Sequence, residues 1–345
     1  MIRRTLRAIL GATLGVALLG GIASAQQVLI NGAGATFPYP IYSKWFDEYH
    51  KKFNNIQINY QSLGSGAGIQ QVTAGTVDFG ASDGPMNDEQ LKTFRDKHSY
   101  AVLHFPTVLG ADVLAYNIPG VTGQLNFTPE AVAGIFLGTV KKWNDPAISG
   151  PNPGVNLPGK DIVVVHRSDG SGTTYCFTDY LSKVSKDWES KVGRGTSVQW
   201  PVGLGGKGNE GVAGQIKQQP NSIGYIELIF AVQNKMSYGK VKNFAGDFVL
   251  ADLASVTAAA ASMKNMPDDF RVSITNAPGK GVYPISTFTW LLIPEKISDP
   301  AKKKALTDFL HWMLTTGQTE TQALDYAPLP KAVVDKELNA IAKIQ

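Results

Sequence analysis

The stretch Arg167-Ser168-Asp169-Gly170-Ser171-Gly172-Thr173-Thr174 gathers a permanent cation, a carboxylate, hydroxyls and glycines within one turn's reach. It follows the β-branched run Ile162-Val163-Val164-Val165 and precedes Tyr175-Cys176-Phe177. That order predicts a strand, a tight turn and a helix. The turn would set the Ser171, Gly172 and Thr173 N–H groups at the helix start, where backbone donors lack intrahelical partners and the helix dipole is positive. With the Arg167 guanidinium beside them, these donors suit an oxyanion such as phosphate or sulfate. An ordinary capped helix with a solvated arginine is the competing reading.

The same local pattern occurs earlier in the chain. Val28-Leu29-Ile30 leads into Asn31-Gly32-Ala33-Gly34-Ala35-Thr36-Phe37, and a helical spacing of Ile41, Trp45, Tyr49 and Phe53 follows from Pro38. Thr36 is placed to cap that helix. The alternating segment Ile56-Gln57-Ile58-Asn59-Tyr60 leads into Gly64-Ser65-Gly66-Ala67-Gly68, and Ile69 and Val72 continue with helical spacing. One such turn says little. Several in one chain, centred on Thr36, on Ser65 and on Ser171-Gly172-Thr173, suggest helix N-termini converging on one anion. Asp83, closing the strand candidate Val77-Asp78-Phe79-Gly80-Ala81-Ser82-Asp83, would add a carboxylate, unless it merely caps a strand end.

Other motifs fail on their own terms. Around Gly206-Lys207, Pro201 stands where a phosphate-binding P-loop needs glycine, and Gly208 where it needs a hydroxyl. Gly32 to Phe37 lacks the third glycine of a dinucleotide fingerprint. Gly80-Ala81-Ser82-Asp83-Gly84 fits the G-x-S-x-G elbow of hydrolases, but Pro85 and the polar residues after it make a poor helix to follow one. The histidines, His50, His98, His104, His166 and His311, form no metal-ligand pair, so neither a metal nor any other cofactor is expected. His166, Trp45 and Trp312 are read as packing residues, and Cys176, between Tyr175 and Phe177, as a buried thiol.

Strand-like and helix-like stretches alternate along the chain, which predicts an α/β fold. Phe105 to Tyr116 reads as a strand entering the turn Asn117-Ile118-Pro119-Gly120, a crossing point between lobes, and Val282 to Ile293 as the return strand. Thr128-Pro129-Glu130 starts a helix with Val132, Ile135 and Phe136 on its buried side, Asp145 to Gly159 reads as a loop, and Ile223 to Ile226 as a short strand. A closing helix carries Leu306, Phe309, Leu310 and Met313 on one face. At 345 residues the chain exceeds the usual single-domain size, so two lobes are expected.

The N-terminus has the form of an export signal. Arg3, Arg4 and Arg7 precede an apolar stretch from Ala8 to Ile22, and Ala23-Ser24-Ala25 closes it with cleavage expected after Ala25. No cysteine stands there to take a lipid, so the mature chain is expected free in the periplasm. The full chain has 32 basic and 28 acidic residues; without those arginines the balance is 29 to 28. A near-neutral chain argues against bulk nucleic-acid binding, and any anion site must be local.

Taken in order, Gly32 to Pro38, Val77 to Asp83, Asp169-Gly170-Ser171-Gly172-Thr173, Gly203-Leu204-Gly205-Gly206-Lys207-Gly208 and Leu324-Asp325-Tyr326-Ala327-Pro328-Leu329-Pro330 resemble the periplasmic phosphate-binding protein of the ABC-type phosphate transporter, the Pst system. The resemblance implies a two-lobed α/β periplasmic-binding-protein fold, type II-like, with lobes 26–116 plus 285–345 and 117–284 joined by a hinge. It implies that Thr36, Phe37, Ser65 and Asp83 line one side of a phosphate site and Arg167, Ser171, Gly172 and Thr173 the other, with Asp169 supporting the arginine. It further implies delivery of phosphate to permease subunits by a monomer that is not an enzyme. A different tetrahedral oxyanion, or an exported phosphatase using Ser82 or Ser171, are the alternatives. Gly66-Ala67 departs from the Ser-Gly of many relatives and removes one hydroxyl near the site.

Overall fold

A computed structural model describes residues 27–345, so the expected leader and its cleavage position lie outside the described residues. The strands run β1 (Val28–Gly34), β2 (Ile56–Ser62), β3 (Phe79–Ser82), β4 (Val102–Asn117), β5 (Asn126–Phe127), β6 (Val163–Arg167), β7 (Leu204–Gly206), β8 (Ser222–Glu227), β9 (Ser237–Tyr238), β10 (Lys240–Lys242), β11 (Phe248–Val249) and β12 (Ser286–Pro294). The helices are α1 (Tyr39–Lys52), α2 (Ser65–Ala74), α3 (Asp88–His98), α4 (Pro129–Leu137), α5 (Pro146–Ser149), α6 (Gly172–Val184), α7 (Lys186–Lys191), α8 (Gly208–Gln218), α9 (Leu228–Gln233), α10 (Leu253–Ala261), α11 (Pro300–Thr315) and α12 (Lys331–Ala340).

The main sheet has the order β2-β1-β3-β12-β4-β8-β6-β7, with β9 also on β4. Its two ends are parallel sets, β2-β1-β3 and β8-β6-β7. Between them β12 runs antiparallel to both β3 and β4. Strand β4 pairs with β12 from Val102 to Ala111 and with β8 from Asp112 to Asn117. Its 16 residues span about 50 Å and tie the halves together. Each parallel set points the C-terminal ends of its strands at the other half, and in open α/β sheets ligands bind at such ends.

The apolar spacings find their places. Ile41, Trp45 and Tyr49 of α1 are buried, and the Phe46 and Phe309 rings meet at 5.3 Å, joining α1 to the apolar face of α11. Trp45 also donates its ring N–H to Gly317 O at 2.9 Å, Trp312 is buried, and Cys176 is a buried free thiol. The Asp145–Gly159 segment is not all loop, since Asp145 caps the short α5 by accepting from Ala147 N at 2.9 Å. Helices α3, α7, α8, α9, α10 and α12 go beyond the elements read from the sequence.

The structure corrects one capping expectation. α1 begins after Pro38 with no side-chain cap, and the Thr36 hydroxyl is engaged elsewhere.

Candidate functional site

The three hydroxyl turns all meet at the junction of the halves. Ser65 is the first residue of α2, behind Gly64. Ser171 caps α6, its Oγ accepting from Thr174 N at 3.0 Å. The next amides, of Gly172 and Thr173, lie at the α6 N-terminus, where helix geometry offers them no intrahelical acceptor. Thr36 follows β1, with Phe37 buried beside it and its carbonyl accepting from Tyr326 OH at 2.5 Å.

Close approach of glycine brings the halves together. A Cβ added at Gly172 would lie 2.5 Å from Ser65 Oγ and 2.6 Å from Asp83 N, so no side chain fits there. Gly66 N donates to Gly170 O at 2.8 Å, and a Cβ on Gly66 would stand 3.0 Å from Gly170 Cα. That contact is the physical reason a small residue suits position 66.

Arg167 ends β6 almost fully buried. Its Nε donates to Asp169 Oδ1 at 2.8 Å and its Nη2 to Asp169 Oδ2 at 2.5 Å, a bidentate fork. Its Nη1 donates to Thr173 Oγ1 at 3.2 Å. Asp169 also accepts from Gly208 N at 3.0 Å, tying this turn to the start of α8. Burial raises the Asp169 carboxyl, but the Arg167 bonds and charge outweigh it and hold the group below the usual carboxylate range.

Asp83 stands at the end of β3, 1% exposed. Its Oδ1 accepts from Thr289 Oγ1 at 2.8 Å, its Oδ2 lies 3.4 Å from Ser65 Oγ, and its N–H donates to that Oγ at 3.2 Å. Burial pushes its carboxyl up to about 7, against the bonds from Thr289 and Ser65 and the charge of Arg167; Asp169 adds a smaller push upward. The sequence reading treats the group as a simple ionised acceptor. The structure makes it one that takes up a proton near neutrality.

Every candidate from the sequence is therefore in one cluster. Thr36, Phe37, Ser65 and Asp83 come from the β1–β3 half; Arg167, Asp169, Ser171, Gly172 and Thr173 come from the β6–α6 half. The sequence reading missed Asn209, which is fully buried and bonds to Thr36, Thr173 and Glu227. It also missed Thr289 and Tyr225, whose hydroxyl accepts from Arg167 N at 3.1 Å. A helical spacing of Val212 and Ile216 after the glycine loop was the available signal for Asn209. Ser82 is fully buried, and its Oγ donates to Gly84 O at 2.5 Å. His166 stacks on Trp200 with centroids 4.8 Å apart, a packing role. Among the described residues no cluster of metal-ligating side chains occurs.

Chemically, the cluster offers a cation neutralised by its own carboxylate, unpaired helix-start amides, hydroxyls, and one buried acceptor that can hold a proton. Such a set is suited to a small oxyanion that carries a hydrogen.

The PBP superfamily domain matches residues 21–316. The chain is 46% identical over 315 residues to the phosphate-binding protein PstS of Pasteurella multocida, covering 91% of this chain and 90% of that one. It is 47% identical over 322 residues to PstS of Xylella fastidiosa strain Temecula1, covering 92% and 86%. Among solved structures, the high affinity periplasmic phosphate-binding protein PfluDING, bound with phosphate, superposes with a TM-score of 0.72 at 21% identity over 89% of this chain and 92% of that one. A phosphate binding protein from Stenotrophomonas maltophilia superposes at 0.69 with 17% identity, covering 90% and 93%. The structural matches carry the two-lobed fold, and on the sequence matches the chain belongs to the PBP superfamily and, within it, to the family of PstS phosphate-binding proteins.

Proposed function

We propose that this protein captures inorganic phosphate in the periplasm and delivers it to the permease subunits of an ABC transporter, as a monomer and without catalysing a reaction. The mature chain starts at Gln26. Lobes 26–116 plus 285–345 and 117–284 close about the β4 and β12 crossings. Thr36, Phe37, Ser65 and Asp83 contact the anion from one lobe, and Arg167, Ser171, Gly172 and Thr173 from the other. Asp169 holds the Arg167 fork in place.

One observation carries the reading: a buried carboxyl, Asp83, set opposite the Arg167 donors and the α6 N-terminus. Donors alone would accept any tetrahedral oxyanion. An ionised carboxylate can only accept, so it favours an anion that brings a proton. Hydrogen phosphate brings one; sulfate does not. Bonds to charged groups contribute about 1.5–3 kcal/mol each, and micromolar affinity needs about 8 kcal/mol, so a handful of these contacts suffices after the cost of ordering.

Titration calorimetry with inorganic phosphate tests the proposal. One phosphate per chain at micromolar affinity or tighter is expected, with no turnover of a chromogenic phosphate ester. Absence of binding, or ester hydrolysis, overturns it.

A further inference from the structure

Two hydroxyls of the site have both acceptor positions filled by protein. Thr36 Oγ1 accepts from Asn209 Nδ2 at 2.9 Å and from Asn209 N at 3.2 Å. Thr173 Oγ1 accepts from Asn209 Nδ2 and from Arg167 Nη1, each at 3.2 Å. A hydroxyl has two lone pairs and one hydrogen. With the lone pairs taken, each can act only as a donor.

We propose that Asn209 is a positioning residue for phosphate, which locks Thr36 and Thr173 as obligate donors and does so only when the lobes are closed. Its amide is itself oriented: Oδ1 accepts from Glu227 N at 3.0 Å, which turns both Nδ2 hydrogens toward the threonines. All of its polar atoms are thereby used in a side chain with no exposure. Thr36 belongs to the β1–α1 turn, whereas Asn209 and Thr173 start α8 and α6 beyond β6. Opening separates Thr36 from both of its donors and returns its hydroxyl to water, where it donates or accepts indifferently. Closing restores the single role that an oxyanion needs. The inference rests on the phosphate reading of the same cluster and names how that site selects its closed form.

A double-mutant cycle on the full chain tests it, read by phosphate titration and by stopped-flow dissociation. Asn209→Ala should weaken phosphate about 10- to 100-fold, the range of one to two modest charge-assisted bonds. The loss should appear in the dissociation rate, because the lock forms after encounter. In the Thr36→Val, Thr173→Val background the same substitution should cost less than about 3-fold, because no hydroxyls remain to orient. Equal losses in both backgrounds would assign Asn209 to packing alone and overturn the proposal. Should Asn209→Ala fail to fold, Asn209→Asp keeps the shape and the acceptor for Glu227 N. Its ionised carboxylate would draw both hydroxyl protons away from phosphate, and protonation would restore a donor. Its affinity relative to wild type should therefore recover as pH falls, and a constant ratio would contradict the proposal. If wild type itself binds no phosphate, the functional reading fails first, which distinguishes the two failures.

Discussion

Asp83 has its midpoint at about 7, where phosphate carries a proton and sulfate carries none, so its protonation should set the selectivity. Burial moves its carboxyl from 3.8 to about 7, a penalty on the charged form of about 4 kcal/mol at about 1.36 kcal/mol per unit. When protonated, the carboxyl is a donor that sulfate can accept from. When ionised, it faces sulfate oxygens with nothing between them. Sulfate binding is therefore linked to uptake of one proton above the midpoint, whereas phosphate carries its own. With a midpoint of about 7, the protonated fraction falls from about nine-tenths at about pH 6 to about one-hundredth at about pH 9. Sulfate affinity should fall about 100-fold over that interval. The phosphate-to-sulfate ratio should climb about tenfold per pH unit above the midpoint and level off below it. Competition titrations across this pH range provide the assay. In Asp83→Asn the ratio should become flat with pH, with sulfate held near its acid plateau. A flat ratio in wild type, or an Asn variant that still rejects sulfate at about pH 8, would refute the acceptor–donor argument.

Further expectations come from the same contacts. Gly172→Ala puts a methyl 2.5 Å from Ser65 Oγ and 2.6 Å from Asp83 N; phosphate affinity should drop about 100-fold or more with little change in circular dichroism, since the clash lies between the halves. Thr289→Val removes the donor 2.8 Å from Asp83 Oδ1; that bond holds the carboxyl's midpoint down, so its loss should raise the midpoint and move the selectivity break to higher pH in the same titrations. Burial also holds the Asp112, Glu227 and Glu337 carboxyls well above their ordinary values. The folded state keeps protons that the unfolded chain releases above about pH 4, so stability should decline as pH rises from about 5 to 8. Thermal melts of the phosphate-free protein should show a lower midpoint at the alkaline end; a higher one would contradict the burial of these groups as acids.

The parts of the site that were legible in the sequence are those with local causes. A β-branched run, a glycine–hydroxyl turn and a helical spacing announce an oxyanion cradle within a dozen residues, and Ser171 and Gly172 sit where that grammar puts them. Arg167 and Asp169 are two residues apart, so their fork is also a local event. Thr36 was misread as a cap because its partner, Asn209, lies 173 positions away in sequence. Thr289 reaches Asp83 across 206 positions, through β12 inserted antiparallel beside β3. Nothing near either residue marks such a contact. The raised Asp83 carboxyl was hidden for the same reason: burial is a property of the assembled halves, and the strand-end motif carries no trace of it. The family's ordered motifs supplied what local physics could not, namely that turns from distant parts of the chain serve one ligand.

A crystal structure of the protein with phosphate would test the central claim most directly. One phosphate is expected between the halves, its oxygens within hydrogen-bond reach of Thr36, Phe37 N, Ser65, Arg167, Ser171, Gly172 N and Thr173, and one of them close enough to Asp83 to share a proton. Phosphate bound elsewhere, or held without contact to Asp83 and the start of α6, would contradict the account.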